Sequence, residues 1–349
     1  MNKKESSARP QPLEFEKPIL ELEGELAKMR EKAESQEIDL SEEIGLAEAK
    51  LVETRKRIYE NLTPWQRVQI ARHINRPFML DYLNDAFDDF CELHGDRLVG
   101  DDSAMPGGLA TLDGRRCVVI GHQKGRNTKE NLEGNFGSAH PEGYRKALRL
   151  MKMGEKFGLP VIALIDTPGA FPGIGAEERN IAEAIARNLR EMMNLRTPII
   201  AVVIGEGGSG GALGIGVADR ILMMENAYYA VISPEGCAAI LWKHRKYAPE
   251  AAAAMKLAAP DLAGMGLVDE VIPEPLGGAH NDHEVAAENL KKALAKQLAF
   301  LEQLSPGELM EQRYQKFRRL GVLQCTLQVS PVVMGFSLFC RRLRCSGRT

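Results

Sequence analysis

Two stretches of this chain are apolar at every position, Val161-Ile162-Ala163-Leu164-Ile165 and Ile199-Ile200-Ala201-Val202-Val203-Ile204. A strand with one wet face alternates apolar and polar residues, so an unbroken run means cover on both faces. Pro160 and Pro198 precede the two runs, 38 residues apart. Between them, residues 177–193 place Ile181, Ala184, Ile185, Leu189 and Met192 on one side of a helix. Strand, helix and strand at this spacing predict a repeated parallel unit, hence an α/β domain with helices flanking a largely parallel sheet. Cys117–Gly121 reads as an earlier strand, and Ile221–Met224, Tyr228–Ile232 and Leu267–Ile272 as later ones. Residues 249–259 and 284–304 read as late helices.

Residues 13–75 differ: they are highly charged and carry helical stripes, Ile19, Leu20, Leu22, Leu26 and Met29, then Ile44, Leu51, Ile58 and Leu62. A turn near residues 34–37 and a capped start at Asp39-Leu40-Ser41 predict an antiparallel helical hairpin, a scaffold or partner surface rather than a chemical site. The 349 residues suffice for one large α/β domain or two smaller ones. A net charge of −3 argues against strong attraction to nucleic acid or anionic membrane. The first dozen residues lack the apolar core of a signal peptide, and no apolar run reaches spanning length, so a cytoplasmic protein is expected. Six cysteines form no C-x-x-C pair, which argues against structural zinc in this chain.

The stretch Gly205 to Gly216, GEGGSGGALGIG, satisfies two motifs at once. Gly205–Gly210 spells the dinucleotide fingerprint G-x-G-x-x-G, with Glu225 placed where a ribose-binding acid would stand. Gly207–Gly211 spells the hydrolase elbow G-x-S-x-G around Ser209. The first belongs in an opening strand–helix unit and here falls in a later one. The second needs an acid and a histidine in motif context, and His244, His280 and His283 have none. Asp166-Thr167-Pro168-Gly169 matches the D-x-x-G of nucleotide hydrolases, but the phosphate loop that must accompany it is missing. His122, His140 and His280 are scattered, without metal-ligand spacing. The dense glycines instead suit a turn whose bare N–H groups face one developing negative oxygen, an oxyanion hole. Close packing alone is the other reading.

GEGGSGG at 205–211 and DTPGAFPG at 166–173 resemble the carboxyltransferase branch of the crotonase superfamily. RPFMLDY at 76–82, ELHGDR at 92–97, IGHQKGRNTKEN at 120–131, HPEGYRKALRLM at 140–151, VISPEGCAAILWK at 231–243 and IPEPLGGAH at 272–280 are similar to the alpha subunits of acetyl-coenzyme A carboxylase carboxyltransferase. The resemblance spans roughly residues 13–322. It implies a crotonase-like (ClpP/crotonase) spiral of strand–helix units over 76–322, behind an N-terminal helical region at 13–75. Residues 1–12 and 323–349 are expected to lack fixed structure. It also implies carboxyl transfer from carboxybiotin, on a separate biotin carboxyl carrier protein, to acetyl-CoA, giving malonyl-CoA for fatty acid synthesis. The implied partner is a beta subunit that carries zinc and binds the thioester, in an α2β2 assembly.

In that chemistry the biotin, relieved of its carboxyl group, serves as the base, and backbone amides stabilise the oxyanions. The amide pair expected here is Gly207–Gly208, or Gly210, Gly211 and Ala212 from the same stretch. Gly169, Ala170 and Phe171 would wall the biotin pocket or simply form a tight turn. Ser233, Pro234, Glu235 and Gly236 would line the same cleft or form a turn. Lys124, Arg126, Arg145 and Lys146 would attract anionic substrate, or be solvated or face a subunit. A non-catalytic scaffold of the same fold and a dinucleotide-binding oxidoreductase remain as alternatives. After Val322 the chain departs from the family: 27 residues hold three cysteines, four arginines and no acid, as a basic tether or a frameshifted end would.

Overall fold

The computed structural model describes residues 13–36 and 38–321; the expectations for residues 1–12 and 323–349 lie outside them. The strands are β1 (Asp88–Glu92), β2 (Gly107–Leu112), β3 (Arg115–Gly121), β4 (Val161–Thr167), β5 (Ile199–Gly208), β6 (Arg220–Met224), β7 (Tyr228–Ala230) and β8 (Glu270–Ile272). They form one sheet in the order β1-β2-β3-β4-β5-β6-β8, with β7 also paired to β5. From β3 onward every pairing is parallel, and every residue of β4 and β5 is buried. Val161 donates its N–H to the Pro198 carbonyl at 2.8 Å and Val118 to the Pro160 carbonyl at 2.9 Å, so the prolines mark strand entries.

The antiparallel start, β1-β2-β3, adds to the parallel sheet expected from sequence, and one sequence signal for it is present. Asp113-Gly114 closes β2 to β3 with φ of 47° and 77°. Two positive φ values in a two-residue loop match the strand twist, the reason Asp-Gly favours hairpins. The expected helix at 177–193 is two helices, Ile174–Glu178 and Ile181–Asn194, broken at Asn180 in the left-handed region (φ 63°). The helix expected at 249–259 is also split, into Ala248–Met255 and Ala259–Gly264. The strands expected at 228–232 and 267–272 are shorter, as β7 and β8.

At the N-terminus, helices Lys17–Gln36 and Ser41–Glu60 run antiparallel, tied by Arg30–Glu48 at 2.6 Å and by Arg55–Glu23. Only part of the expected stripe is covered: Ile19 and Leu26 are buried, whereas Leu20 stays exposed. A third helix, Pro64–Ala71, has a capping box from Thr63 and Gln66, and its Val68 and Ile70 are fully buried.

The entry to β5 is fixed by a residue from far along the chain. Arg313, on helix Pro306–Arg319, is fully buried and donates to both Asp219 carboxylate oxygens, at 2.8 and 2.7 Å. It also donates to the carbonyls of Met192, Leu195 and Thr197. Asp219 in turn accepts the Ile199 N–H at 2.7 Å. Removing one partner of a buried pair leaves an uncompensated charge. Arg313→Met should therefore cost about 3 kcal/mol or more in urea unfolding. Arg313→Lys should fail to restore stability, because one ammonium cannot replace a five-donor fork.

Candidate active site

β4 and β5 end side by side, and their offset changes there. Val161 to Ile165 pair with Ile199 to Val203, but Thr167 pairs with Gly207, so β5 carries two extra residues opposite Asp166. Such a bulge bends the strand. Before it, Ile200–Val203 pair with β6; after it, Glu206–Gly208 pair with β7. Gly205–Gly208 therefore form buried strand, not the turn expected from sequence. Gly207 sits between Thr167 and Tyr229, and Gly208 caps the five-residue helix Ser209–Leu213. Ser209 has φ 51°, a left-handed conformation uncommon for serine, and is exposed. Gly210 is half-buried and Gly211 and Ala212 are buried. The Gly210 and Gly211 N–H groups fall among the first four counted from the Gly208 cap, which lack intrahelical partners, whereas Ala212 lies one position beyond them.

The stretch 167–171 packs directly on this helix. A Cβ on Gly208 would overlap the Pro168 carbonyl, and one on Gly211 would stand 2.5 Å from the Ala170 nitrogen. Thr167 closes its own turn, donating to the Gly169 carbonyl at 2.8 Å and accepting the Gly169 N–H at 3.1 Å. Phe171 stacks on His140 with ring centroids 4.2 Å apart. Ser233 caps helix Pro234–Leu241 by accepting the Gly236 N–H at 3.1 Å. An apolar groove of about 240 Å³ opens beside Ser209, lined by Leu213, Val217, Tyr229, Ala230 and Val231.

Beneath these loops lies a charge network. Lys124 Nζ reaches Asp166 at 2.7 Å and Glu206 at 2.6 Å. Arg72 Nε meets the other Glu206 oxygen at 2.6 Å, and its Nη1 meets Glu235 at 2.5 Å. Tyr228 accepts from Arg72 at 2.9 Å and donates to Glu206 at 2.6 Å. The Glu206 N–H donates to Asp166 at 2.8 Å. Burial raises the pKa of Glu206, but the Lys124 and Arg72 charges outweigh it and hold the group at about 2. Asp166 moves the other way: burial and the Glu206 charge raise it despite Lys124. The network joins Asp166 at the end of β4, Glu206 in β5 and Glu235 beyond β7, so it brings together all three expected site stretches.

Lys124 is thus a bridge between two carboxylates rather than a free charge. Arg126 pairs with Asp81, Arg145 with Asp96 at 2.7 Å, and Lys146 with Asp101. Glu225 accepts the Glu274 N–H at 3.1 Å, a structural role. His122 is fully buried, and burial followed by the nearby Lys124 charge lowers its pKa to about 3, so it is neutral at physiological pH. Arg72 and Tyr228 carry no motif that singles them out in the sequence. The available signal was Glu206, the lone charge inside GEGGSGG, which must find partners once the strand is buried. Among the described residues, no cluster of three or more His, Cys, Asp or Glu is placed to hold a metal, and no helix is long and apolar enough to cross a membrane.

Because folding depresses the Glu206 pKa, its stabilisation is complete above the unfolded value of 4.5 and is lost as pH falls through about 2. Glu206→Gln should cost about 3 kcal/mol near pH 7. That difference from the parent chain should shrink steadily between these two pH values when unfolding is followed by denaturant titration. A difference that does not change with pH would contradict the depressed pKa.

The family described as acetyl co-enzyme A carboxylase carboxyltransferase-like matches residues 12–321. The chain is 58% identical over 310 residues to the acetyl-coenzyme A carboxylase carboxyl transferase subunit alpha of a Thermus thermophilus strain, covering 89% of this chain and 98% of that protein. It is 59% identical over 309 residues to the same-named subunit of Geobacter metallireducens, covering 88% and 97%. Among solved structures it resembles transcarboxylase 12S with a TM-score of 0.55 at 19% identity, over 70% of this chain and 46% of that longer one. It also resembles the Pseudomonas malonate decarboxylase hetero-dimer with a TM-score of 0.52 at 18% identity, over 63% and 89%. These distant likenesses concern the fold alone, which is crotonase-like. The near-complete matches decide the family: the chain belongs to the acetyl-CoA carboxylase carboxyltransferase alpha subunits.

Proposed function

We propose that this chain is the alpha half of a biotin-dependent carboxyltransferase, moving a carboxyl group from carboxybiotin on a biotin carboxyl carrier protein to acetyl-CoA. The product is malonyl-CoA for fatty acid synthesis. The observation that carries the reading is similarity over 88–89% of this chain, at 58–59% identity, to subunits named for this activity. The chain works in the cytoplasm with a zinc-bearing beta subunit that holds the thioester, as an α2β2 assembly.

When bound, carboxybiotin supplies both the carboxyl group and the base that the reaction requires. What this chain must add is a fixed place for negative charge. The amides of Gly207 and Gly208, or of Gly210, Gly211 and Ala212, serve as the oxyanion hole; they do not titrate and need no reorganisation as charge develops. Gly169, Ala170 and Phe171 wall the pocket, and Ser233 to Gly236 close its far side. The apolar groove beside Ser209 suits the hydrocarbon part of biotin and excludes water.

Mixed with its beta partner, biotin and malonyl-CoA, the purified chain should catalyse the reverse transfer. An assembled mixture without turnover would overturn the reading. Ser209→Gly, which suits the left-handed backbone, should keep near-normal kcat; loss of activity would bring the hydroxyl back into the chemistry. Gly208→Ala should lower kcat by about 100-fold by forcing the Pro168 carbonyl away. Gly210→Ala, whose Cβ meets only the Ile185 methyl at 3.8 Å, should stay within a few fold of the parent, about 1 kcal/mol.

A further inference from the structure

Phe171 is half-buried, and three contacts fix it. Its N–H donates to the Ala139 carbonyl at 3.0 Å. The His140 ring stacks on its face, with centroids 4.2 Å apart and planes 27° apart. Gly173 closes against its edge, since a Cβ there would stand 2.3 Å from Phe171 Cε1. The backbone bond sets where the residue starts; the imidazole and Gly173 set how its ring is turned.

His140 is itself firmly held. Its N–H donates to Asp102 Oδ2 at 2.7 Å, and Asp102 is buried. It stands as N-cap before helix Pro141–Phe157, yet its side chain makes no capping bond. The imidazole is held at its edge instead, where Nδ1 shares a hydrogen bond of 3.0 Å with Asn135 Nδ2. Asn135, Phe136 and Gly137 have φ of 46°, 55° and 78°, three left-handed residues in succession. Glycine takes this conformation freely and asparagine at small cost, but at a phenylalanine it is strain that the surroundings must offset. Those surroundings are the charge network. A Cβ on Gly137 would stand 2.8 Å from Lys124 Cγ and 3.0 Å from the Asp166 carbonyl oxygen. A line of contacts thus runs from Lys124 and Asp166 through the 135–137 turn and His140 to Phe171.

We propose that His140 is a positioning residue for the biotin pocket. By stacking on Phe171 it fixes the tilt of that wall and so sets how tightly the biotin ring system is held. The inference rests on the reading that residues 169–171 wall the pocket. His140 touches no reacting atom. An aromatic pair of this kind is enough by itself to change an affinity several-fold. Histidine serves both ends of the contact, its flat face meeting Phe171 and its Nδ1 meeting Asn135. Phenylalanine would keep the face and lose the edge bond; leucine would lose both.

The test uses the full chain assembled with its beta partner, free biotin and malonyl-CoA. His140→Leu, which keeps apolar bulk without a flat face, should raise the biotin KM about five- to tenfold. The KM for malonyl-CoA, the substrate assigned to the beta subunit, and kcat should stay within about twofold of the parent. The Kd of free biotin for the assembly, followed by ligand-observed NMR, should rise as the biotin KM does. His140→Phe should return both biotin constants to within about twofold of the parent, because the stack is restored. A merely structural role predicts a fall in kcat or a rise in both KM values, with no rescue by phenylalanine; either result overturns the proposal. An unchanged biotin KM and Kd in His140→Leu overturns it too. Phe171→Ala tells the two failures apart. If it weakens biotin binding where His140→Leu does not, the stacking role falls and the wall stands; if neither weakens it, both fall. Should His140→Leu not assemble, Asn135→Ala, which frees the imidazole edge, should raise the biotin Kd at least about twofold. An unchanged Kd there overturns the proposal.

Discussion

Glu206 is an ionised carboxylate inside a sheet, and most of what surrounds it follows from keeping it so. Effective burial of a charge costs several kcal/mol unless partners with good geometry offset it. Lys124, Arg72 and the Tyr228 hydroxyl provide that offset, each within 2.6 Å of a Glu206 oxygen. They come from a loop after β3, the end of a helix before the sheet, and a short strand beyond β6. None can be displaced without stranding the others. Arg72 and Lys124 carry the constraint outward, to Glu235 and Asp166 respectively, so the stretches 166–171, 205–212 and 233–236 are tied to one another. Asp166 is the carboxylate whose pKa is raised, by burial and by the Glu206 charge, opposite in direction to Glu206.

The two-residue bulge in β5 makes room for this. With it, the strand changes partner from β6 to β7 and draws Tyr228 against Glu206. The glycines then permit close approach: Gly208 to Pro168 and Gly211 to Ala170 leave no space for a side chain. The approach that requires glycine is also what sets the amides in a fixed place.

The parallel centre of the fold is legible because β4 and β5 are apolar at every position, a pattern that admits few other arrangements. The apolar run Cys117–Gly121 marks β3, but its antiparallel pairing with β2 is signalled only by Asp113-Gly114, because β2 gives no continuous run. The limits of β7 and β8 cannot be read, since Val231 and Leu267 are apolar yet lie outside the ladder. The expected site stretches meet in space, but their support does not show in the sequence. Arg72 and Glu206 are 134 positions apart, and no local pattern announces such a pair. The same distance effect makes Lys124 read as a possible substrate contact, because its two carboxylates become neighbours only after folding.

The helix Ser209–Leu213 has five residues, too few to be stable by its own hydrogen bonds. It is held from behind. The Tyr144 hydroxyl donates to the Gly211 carbonyl at 3.2 Å, and Asn188 donates to the Gly214 carbonyl. Carbonyl and following N–H point in opposite directions across a planar trans peptide. Anchoring the Gly211 carbonyl on Tyr144 therefore fixes the plane of the Gly211–Ala212 peptide, with the Ala212 N–H directed back toward Gly208. Tyr144 and Asn188 therefore hold the carbonyls of this short helix in place. Both bracing residues come from one helix pair, Tyr144 from Pro141–Phe157 and Asn188 from Ile181–Asn194.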